Sequence, residues 1–347
     1  MKKIYIVFCM ILIIFSTSNS LLNTIMYSLA VIPVAVILGE LTSTISEYIG
    51  EKKGGLLAAA IGNMPELTMG LWSIKCGMLS MAKAALIGSI ISNILLVLGI
   101  SIFVGGVKYK EQSFNKIVAR TNFSMLFIAL STMIIVAALN MHKGKISPNL
   151  ISTLSVKIAI IFIFIYILGL IFSLYTHSNL FVVSELGEQK MIKKDKQFFK
   201  LFINIILISI ILYFISEKLI LNIKEVVKCY NISQEFIGIM FIPILGNIGE
   251  NVSAILCAAK NKINLSLEIA IGSSIQIFLF VTPILIIFSY FCGLSMTFLF
   301  SSFQIIITII AAGMSFFVFQ DGKTYWFEGA ILIATYLIIT FAYYYVA

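Results

Sequence analysis

The chain has 347 residues, of which 60% are apolar and 11% charged, and its mean hydropathy is +1.07. A soluble domain carries roughly 25% charged residues, so a water-soluble globular protein is excluded and a polytopic membrane protein is indicated. The net charge of +9 belongs to basic cytoplasmic loops rather than to a nucleic-acid interface.

Residues 1–20 carry Lys2-Lys3, a short apolar run over 4–15 and a polar tail. They are read as a retained first transmembrane helix, with a signal-like segment as the alternative. Further apolar spans are expected at about 21–41, 54–74, 82–104, 122–141 and 150–175. The longest polar stretch, 176–200, is a solvated linker on the cytoplasmic side. Five more spans follow at about 201–220, 235–258, 265–291, 294–319 and 325–345. The expected fold is therefore all-α and polytopic, with about 11 transmembrane helices. Its units are the first helix (1–20), a first five-helix unit (21–175), the linker (176–200) and a second five-helix unit (201–347). With the N-terminus in the cytoplasm, 16 of the 24 Lys and Arg fall inside and 8 outside. That asymmetry places the C-terminus outside.

The third span holds a carboxylate, Glu66, within Gly62-Asn63-Met64-Pro65-Glu66. An acid at the bilayer centre costs about 2.5–3.5 kcal/mol on insertion scales and marks a functional position. Gly246-Asn247-Ile248-Gly249-Glu250 repeats the pattern 184 positions later. The same offset carries Gly54 onto Gly238, Ile87-Gly88-Ser89 onto Ile271-Gly272-Ser273, Leu95 onto Leu279 and Val97 onto Val281. Such self-similarity in one frame is an internal repeat. The third and eighth spans are separated by an odd number of crossings, so the second copy enters from the opposite face. Inverted repeats of this kind build secondary transporters, with the substrate at the midplane where the copies meet.

The polar residues of these stretches are Glu66, Glu250, Asn63, Asn247, Ser89, Ser92, Asn93, Ser273, Ser274 and Gln276. On a continuous helix, Asn63 and Glu66, and likewise Asn247 and Glu250, share a face. All are oxygen donors, and neither His nor Cys joins them. That set suits a hard cation, Ca²⁺ or Mn²⁺, rather than Zn²⁺ or Cu. Two carboxylates neutralise one divalent ion. Once it leaves, burial and mutual repulsion favour their neutral form, so protons or Na⁺ must compensate. Pro65 and Gly249 are expected helix breaks beside the two glutamates. No zinc motif and no cysteine framework is present, no resident cofactor is indicated, and the chain lacks an intramembrane catalytic set such as paired Asp or H-E-x-x-H.

Gly62-Asn63-x-x-Glu66-Leu67, followed by the run from Gly88-Ser89 through Ser92-Asn93 to Gly99, is similar to the first repeat of the calcium/proton exchanger family, within the calcium/cation antiporter superfamily. Pro243 to Glu250 and Gly272-Ser273-Ser274-Ile275-Gln276 through Pro283 resemble its second repeat. The resemblance covers about residue 21 to the end. It implies eleven spans, two inverted five-span repeats after an extra helix, and export of cytosolic Ca²⁺ driven by inward protons, with Glu66 and Glu250 on the essential acidic positions. It departs from the family at Asn251, where a His usually follows the second Glu, at Met64-Pro65, where small residues are usual, and at Ala58, where the family has Asn. The Pro-Glu pair resembles the sodium/calcium exchanger branch, so Na⁺ coupling is the alternative. The partners are then Ca²⁺ and H⁺, with Mn²⁺ and Na⁺ as further candidates, and the lipid bilayer; homo-oligomerisation is left open. The compact chain points to a bacterial plasma membrane.

Overall fold

The computed structural model describes residues 16–49, 61–142, 147–177 and 195–346. The expected first helix at 4–15, most of the linker and the repeat residues Gly54 and Ala58 lie outside the described residues. Among the described residues the fold is helical apart from one short strand pair. In chain order its elements are α1 (Ser20–Ile49), α2 (Met64–Lys75), α3 (Leu79–Tyr109), β1 (Glu111–Ser113), α4 (Lys116–His142), α5 (Pro148–Thr176) and α6 (Asp195–Tyr230). Then come α7 (Gln234–Gly246), α8 (Ile248–Ala259), α9 (Ile263–Phe291), α10 (Ser302–Val318), β2 (Lys323–Tyr325) and α11 (Trp326–Val346).

Seven of these helices, α1, α3, α4, α5, α6, α9 and α11, are long and apolar enough to cross a membrane. The pair α7 and α8, bent by 62° at its junction, is together long and apolar enough for a broken span or a re-entrant hairpin. Two elements are shorter: α10, with 17 residues, and α2, with 12. Phe127, Phe164 and Ile338 are each at least 60% exposed, as expected of side chains whose solvent is lipid. α6 begins at Asp195, within the expected linker.

The apolar interior falls into two layers. In the larger, α3, α4, α5, α9, α10 and α11 pack around Ile87, Leu95, Phe278, Phe298 and Leu332. In the other, Tyr27, Val34 and Leu38 of α1 face Leu212, Ile215 and Leu219 of α6. Asn23 Nδ2 donates to Asn222 Oδ1 at 3.1 Å across that pair. Helix ends follow local chemistry. Pro148 occupies the first turn of α5, where a missing N–H costs nothing. Ser301 and Gln304 form a reciprocal capping box at the start of α10.

β1 and β2 pair antiparallel, with Glu111 opposite Tyr325 and Ser113 opposite Lys323. Lys323 Nζ lies 2.8 Å from Glu111 Oε1, and Tyr325 Oη donates to Glu111 Oε2 at 3.0 Å. The hydrogen bond from Lys323, then that from Tyr325, lowers the Glu111 pKa below its ordinary 4.5, and Glu111 raises Lys323 above 10.5. The carboxylate's contribution is present above its unfolded pKa and is lost as pH falls through the depressed folded value. The ammonium's is present below its unfolded pKa and is lost as pH rises through the raised one. Both partners are solvent-exposed, so the effect is small. Thermal melts of Glu111→Gln should therefore fall slightly below wild type between about pH 5 and 10 and converge with it in stronger acid; a constant offset across the acid range contradicts this.

Candidate functional site

Both repeated stretches break at their asparagine. Residues 61–62 are helical, Asn63 is a turn, and α2 starts at Met64. Likewise α7 ends at Gly246, Asn247 is the break, and α8 starts at Ile248. The two asparagines adopt nearly the same backbone, φ −95°, ψ 22° at Asn63 and φ −96°, ψ 6° at Asn247. Each carbonyl accepts the amide four residues on, Leu67 N to Asn63 O at 3.0 Å and Asn251 N to Asn247 O at 2.8 Å.

This corrects two expectations. The breaks lie two residues before Pro65 and Gly249, which instead sit in the first turn of the new half-helix. There an absent N–H leaves no helical bond unmade, so Pro65 initiates α2 rather than kinking it. Asn63 and Asn247 are also not one turn from the glutamates on a continuous helix. They are cap residues, and neither side chain makes the usual cap bond to the first turn. Their amides are directed into the protein instead.

Asn63 Nδ2 donates to Gln276 Oε1, and Ser273 Oγ lies 3.3 Å from Asn63 Oδ1 and 3.5 Å from Asn247 Oδ1. Asn93 Nδ2 donates to Ser273 Oγ at 3.1 Å. Ser273 thus joins asparagines from α3 and from both breaks. Glu66 and Glu250 fall in the first turns of α2 and α8, at the positive ends of the helix dipoles. Glu66 is 5% exposed, and Glu250 is half-buried. Both Glu66 oxygens, Glu250 Oε2 and Asn247 Nδ2 are buried without a hydrogen-bond partner.

The two stretches interlock through their glycines. A Cβ placed on Gly62 would stand 2.9 Å from Glu250 Oε1, and one on Gly246 would stand 2.7 Å from Glu66 Oε1. Each carboxylate therefore rests against the glycine that precedes the other stretch's break. What approaches Gly62 and Gly246 is a carboxylate. Backbone approach occurs elsewhere, at Gly88 against Ile239 and at Gly238 against Met81, whereas Gly272, the match of Gly88, has open space beside it.

Two further features sit beside the cluster. A π-turn interrupts α3 at Ser92–Val97, and another interrupts α9 at Ile277–Val281, directly after Gln276. They end on the matched residues Val97 and Val281. Such wide turns concentrate at functional sites, and no residue pattern announces them. Ser89 and Ser92 are buried on α3, with Ser92 Oγ unpartnered. Ser274 is not brought in: its hydroxyl donates to Ala270 O of its own helix at 3.0 Å. Asn251 is half-buried beside Glu250. Tyr166 of α5, unmarked in the sequence reading, is 5% exposed, with its hydroxyl unpartnered.

Among the described residues no three His, Cys, Asp or Glu cluster as a metal site. A cation held here takes two carboxylates plus amide, hydroxyl or backbone oxygens. Two buried carboxylates with open lone pairs and amide oxygens nearby fit a hard divalent cation or a pair of protons, and not a soft metal.

A family model described as sodium/calcium exchanger protein matches residues 19–175 and 200–345. The chain is 36% identical over 330 residues to a Ca²⁺/H⁺ antiporter of Aphanothece halophytica, over 92% of this chain and 88% of the relative. It is 34% identical over 321 residues to the Ca²⁺/H⁺ antiporter ChaA of Bacillus subtilis (strain 168), over 92% of this chain and 90% of that protein. Its fold is similar to the crystal structure of the selenium-substituted Ca²⁺/H⁺ antiporter protein YfkE, with a TM-score of 0.81, 30% identity and 99% of both chains covered. Matched along nearly its whole length by that family model and by these relatives, the chain belongs to the calcium/proton exchanger family, whose members are membrane transporters and not enzymes.

Proposed function

We propose that the chain is a secondary antiporter that exports cytosolic Ca²⁺ in exchange for H⁺, with Glu66 and Glu250 as one shared cation/proton site. The observation that carries this reading is the reciprocal seating of each carboxylate against the other stretch's glycine. Two carboxylates seated in this way would let one divalent ion neutralise both. Asn63, Asn247, Ser89, Ser92, Asn93, Ser273 and Gln276 supply further oxygens or orient them. Relatives named as Ca²⁺/H⁺ antiporters support the choice of ions.

The architecture that goes with it is a pair of inverted five-helix units, 21–175 and 201–347, after a first helix and around a cytoplasmic linker. The matched breaks at Asn63 and Asn247 and the matched ends of the two π-turns support it. The Lys and Arg distribution supports a cytoplasmic N-terminus and an outside C-terminus in a bacterial plasma membrane. In alternating access the two units rock about the shared site. Ca²⁺ entering from the cytosol displaces protons from the two carboxylates. After the ion leaves outside, desolvation and mutual repulsion make the pair take up protons again. Everted membrane vesicles with an imposed pH gradient and no Na⁺ test the coupling. Ca²⁺ uptake that collapses when the pH gradient is dissipated is the expected result; uptake only after Na⁺ is added assigns the chain to the sodium-coupled alternative instead.

Asn251 sharpens the proton pathway. A histidine beside the second glutamate titrates near pH 6.5, whereas asparagine does not titrate. Protons therefore ride on Glu66 and Glu250 themselves, and acidification weakens Ca²⁺ binding by direct competition. Asn251→His should keep transport but change its profile between about pH 5 and 8. Superimposable wild-type and mutant profiles in proteoliposomes would remove position 251 from the proton pathway.

A further inference from the structure

The half-helix that carries Glu250 is tied down at its far end by a segment between α3 and α4. α8 ends in a left-handed cap: Lys262 N donates to Cys257 O at 2.9 Å, Asn261 N to Ala258 O at 3.0 Å, and Asn261 has φ +62°. α2 ends in the same way. Met78 N donates to Ser73 O at 2.8 Å, Gly77 N to Ile74 O at 2.9 Å, and Gly77 has φ +73°. Glycine is the residue such caps favour, and a side chain there is strained unless something compensates.

At Asn261 the compensation comes from neighbouring donors. Gln112 Nε2 donates to Asn261 Oδ1 at 3.0 Å and to Ala258 O at 3.0 Å. Lys108 Nζ and Tyr109 Oη both donate to Ala259 O, at 2.9 and 3.2 Å. These donors occupy the terminal carbonyls that every helix leaves open. Gln112 is 1% exposed, sits in β1, and fits only because Gly105 has no side chain to collide with its amide. Its Oε1 has no partner, so its polar contribution is the donor pair alone. The matching end of α2 is held differently, by Lys224 Nζ of α6 on Cys76 O at 2.7 Å.

We propose that Gln112 is a positioning residue for the Glu250 carboxylate, and that the β1–β2 pair is a strap fixing α8 from its C-terminal end. α8 is a stiff rod of 12 residues with Glu250 in its first turn. Holding one end fixes the angle at which the other presents its carboxylate to Glu66. Releasing the strap widens the spread of Glu250 positions and weakens capture of the divalent ion. The strap lies on the cytosolic face in the topology proposed above, the side from which Ca²⁺ loads, so the effect falls on cytosolic affinity. This functional consequence rests on the exchange reading; the mechanical one does not.

The experiment uses the full chain with Cys9, Cys76, Cys229 and Cys292 changed to serine, leaving half-buried Cys257 on α8 as a reporter. Maleimide labelling of Cys257 in membranes reads the strap, and KM against maximal rate for Ca²⁺ transport reads the site, with whichever coupling ion drives the parent protein. Gln112→Ala is expected to speed labelling and raise KM about fivefold with the maximal rate kept within about twofold, the scale of losing one or two hydrogen bonds. Asn261→Gly keeps the left-handed cap and removes only the side-chain acceptor; it should move both readouts the same way by less. Unchanged labelling in both variants overturns the strap. Faster labelling with unchanged KM overturns the positioning role. If Gln112→Ala does not fold, Asn261→Gly decides by the same two criteria. Absence of proton coupling in the parent would sink the exchange reading and leave the labelling result intact.

Discussion

Glu66→Gln and Glu250→Gln are each expected to abolish Ca²⁺ exchange in a protein that still inserts and folds. Glutamine keeps the shape and one oxygen acceptor, so packing around α2 and α8 survives. What goes is half the countercharge of a divalent ion in a buried site. Removing one partner of a buried charge pair costs about 3–5 kcal/mol, which is more than about a hundredfold in affinity. The cost is that large because Glu66 is 5% exposed and its oxygens have no other partners. Ca²⁺ binding by calorimetry, beside a thermal melt, checks both halves of the statement. Near-normal transport by either variant would remove that glutamate from the site.

Gly246→Ala should nearly match that loss by geometry alone. The new Cβ would lie 2.7 Å from Glu66 Oε1 and 2.9 Å from its Cδ, closer than carbon atoms pack, so the carboxylate must move. Gly62→Ala meets only Glu250 Oε1, at 2.9 Å, and the end of that side chain can turn away. The expected order is therefore Gly246→Ala worse than Gly62→Ala, with a loss of ten- to hundredfold in transport at the first, the scale of misplacing a reacting group by about 1 Å. Alanine is a better helix former than glycine by about 0.5–1 kcal/mol, so neither variant should melt earlier for want of helix propensity. Loss of transport with an unchanged or raised melting temperature is the signature. Equal and full transport by both variants would show that the carboxylates do not need their glycine seats.

The membrane class and the long apolar helices were legible from hydropathy, and the candidate acidic pair from a chemical contrast. A carboxylate or an asparagine in hydrocarbon stands out, and a second one in the same frame 184 positions on stands out further. The break positions were harder to read. Pro65 suggests a kink at itself, yet proline is tolerated in a first helical turn, so the chain breaks at Asn63 and uses Pro65 to start again. Asparagine at a helix start reads as an ordinary cap, and nothing local says that its amide turns to Gln276 instead. The seating of Glu66 against Gly246 and of Glu250 against Gly62 depends on how two distant stretches cross. Gln112 lies in what reads as a basic surface loop; its burial follows from strand pairing with residues more than two hundred positions away. The π-turns left no trace in residue type, because a wide turn depends on how neighbouring helices pack.

The central claim is that Ca²⁺ and protons compete for one pair of carboxylates and so move in opposite directions. It is tested most directly in proteoliposomes holding a pH indicator, without Na⁺ and with the membrane voltage clamped. A Ca²⁺ gradient alone should drive protons the other way, and Glu66→Gln and Glu250→Gln should each silence both fluxes together. Ca²⁺ movement without proton counterflow, or a proton signal that persists in either glutamine variant, would contradict the account.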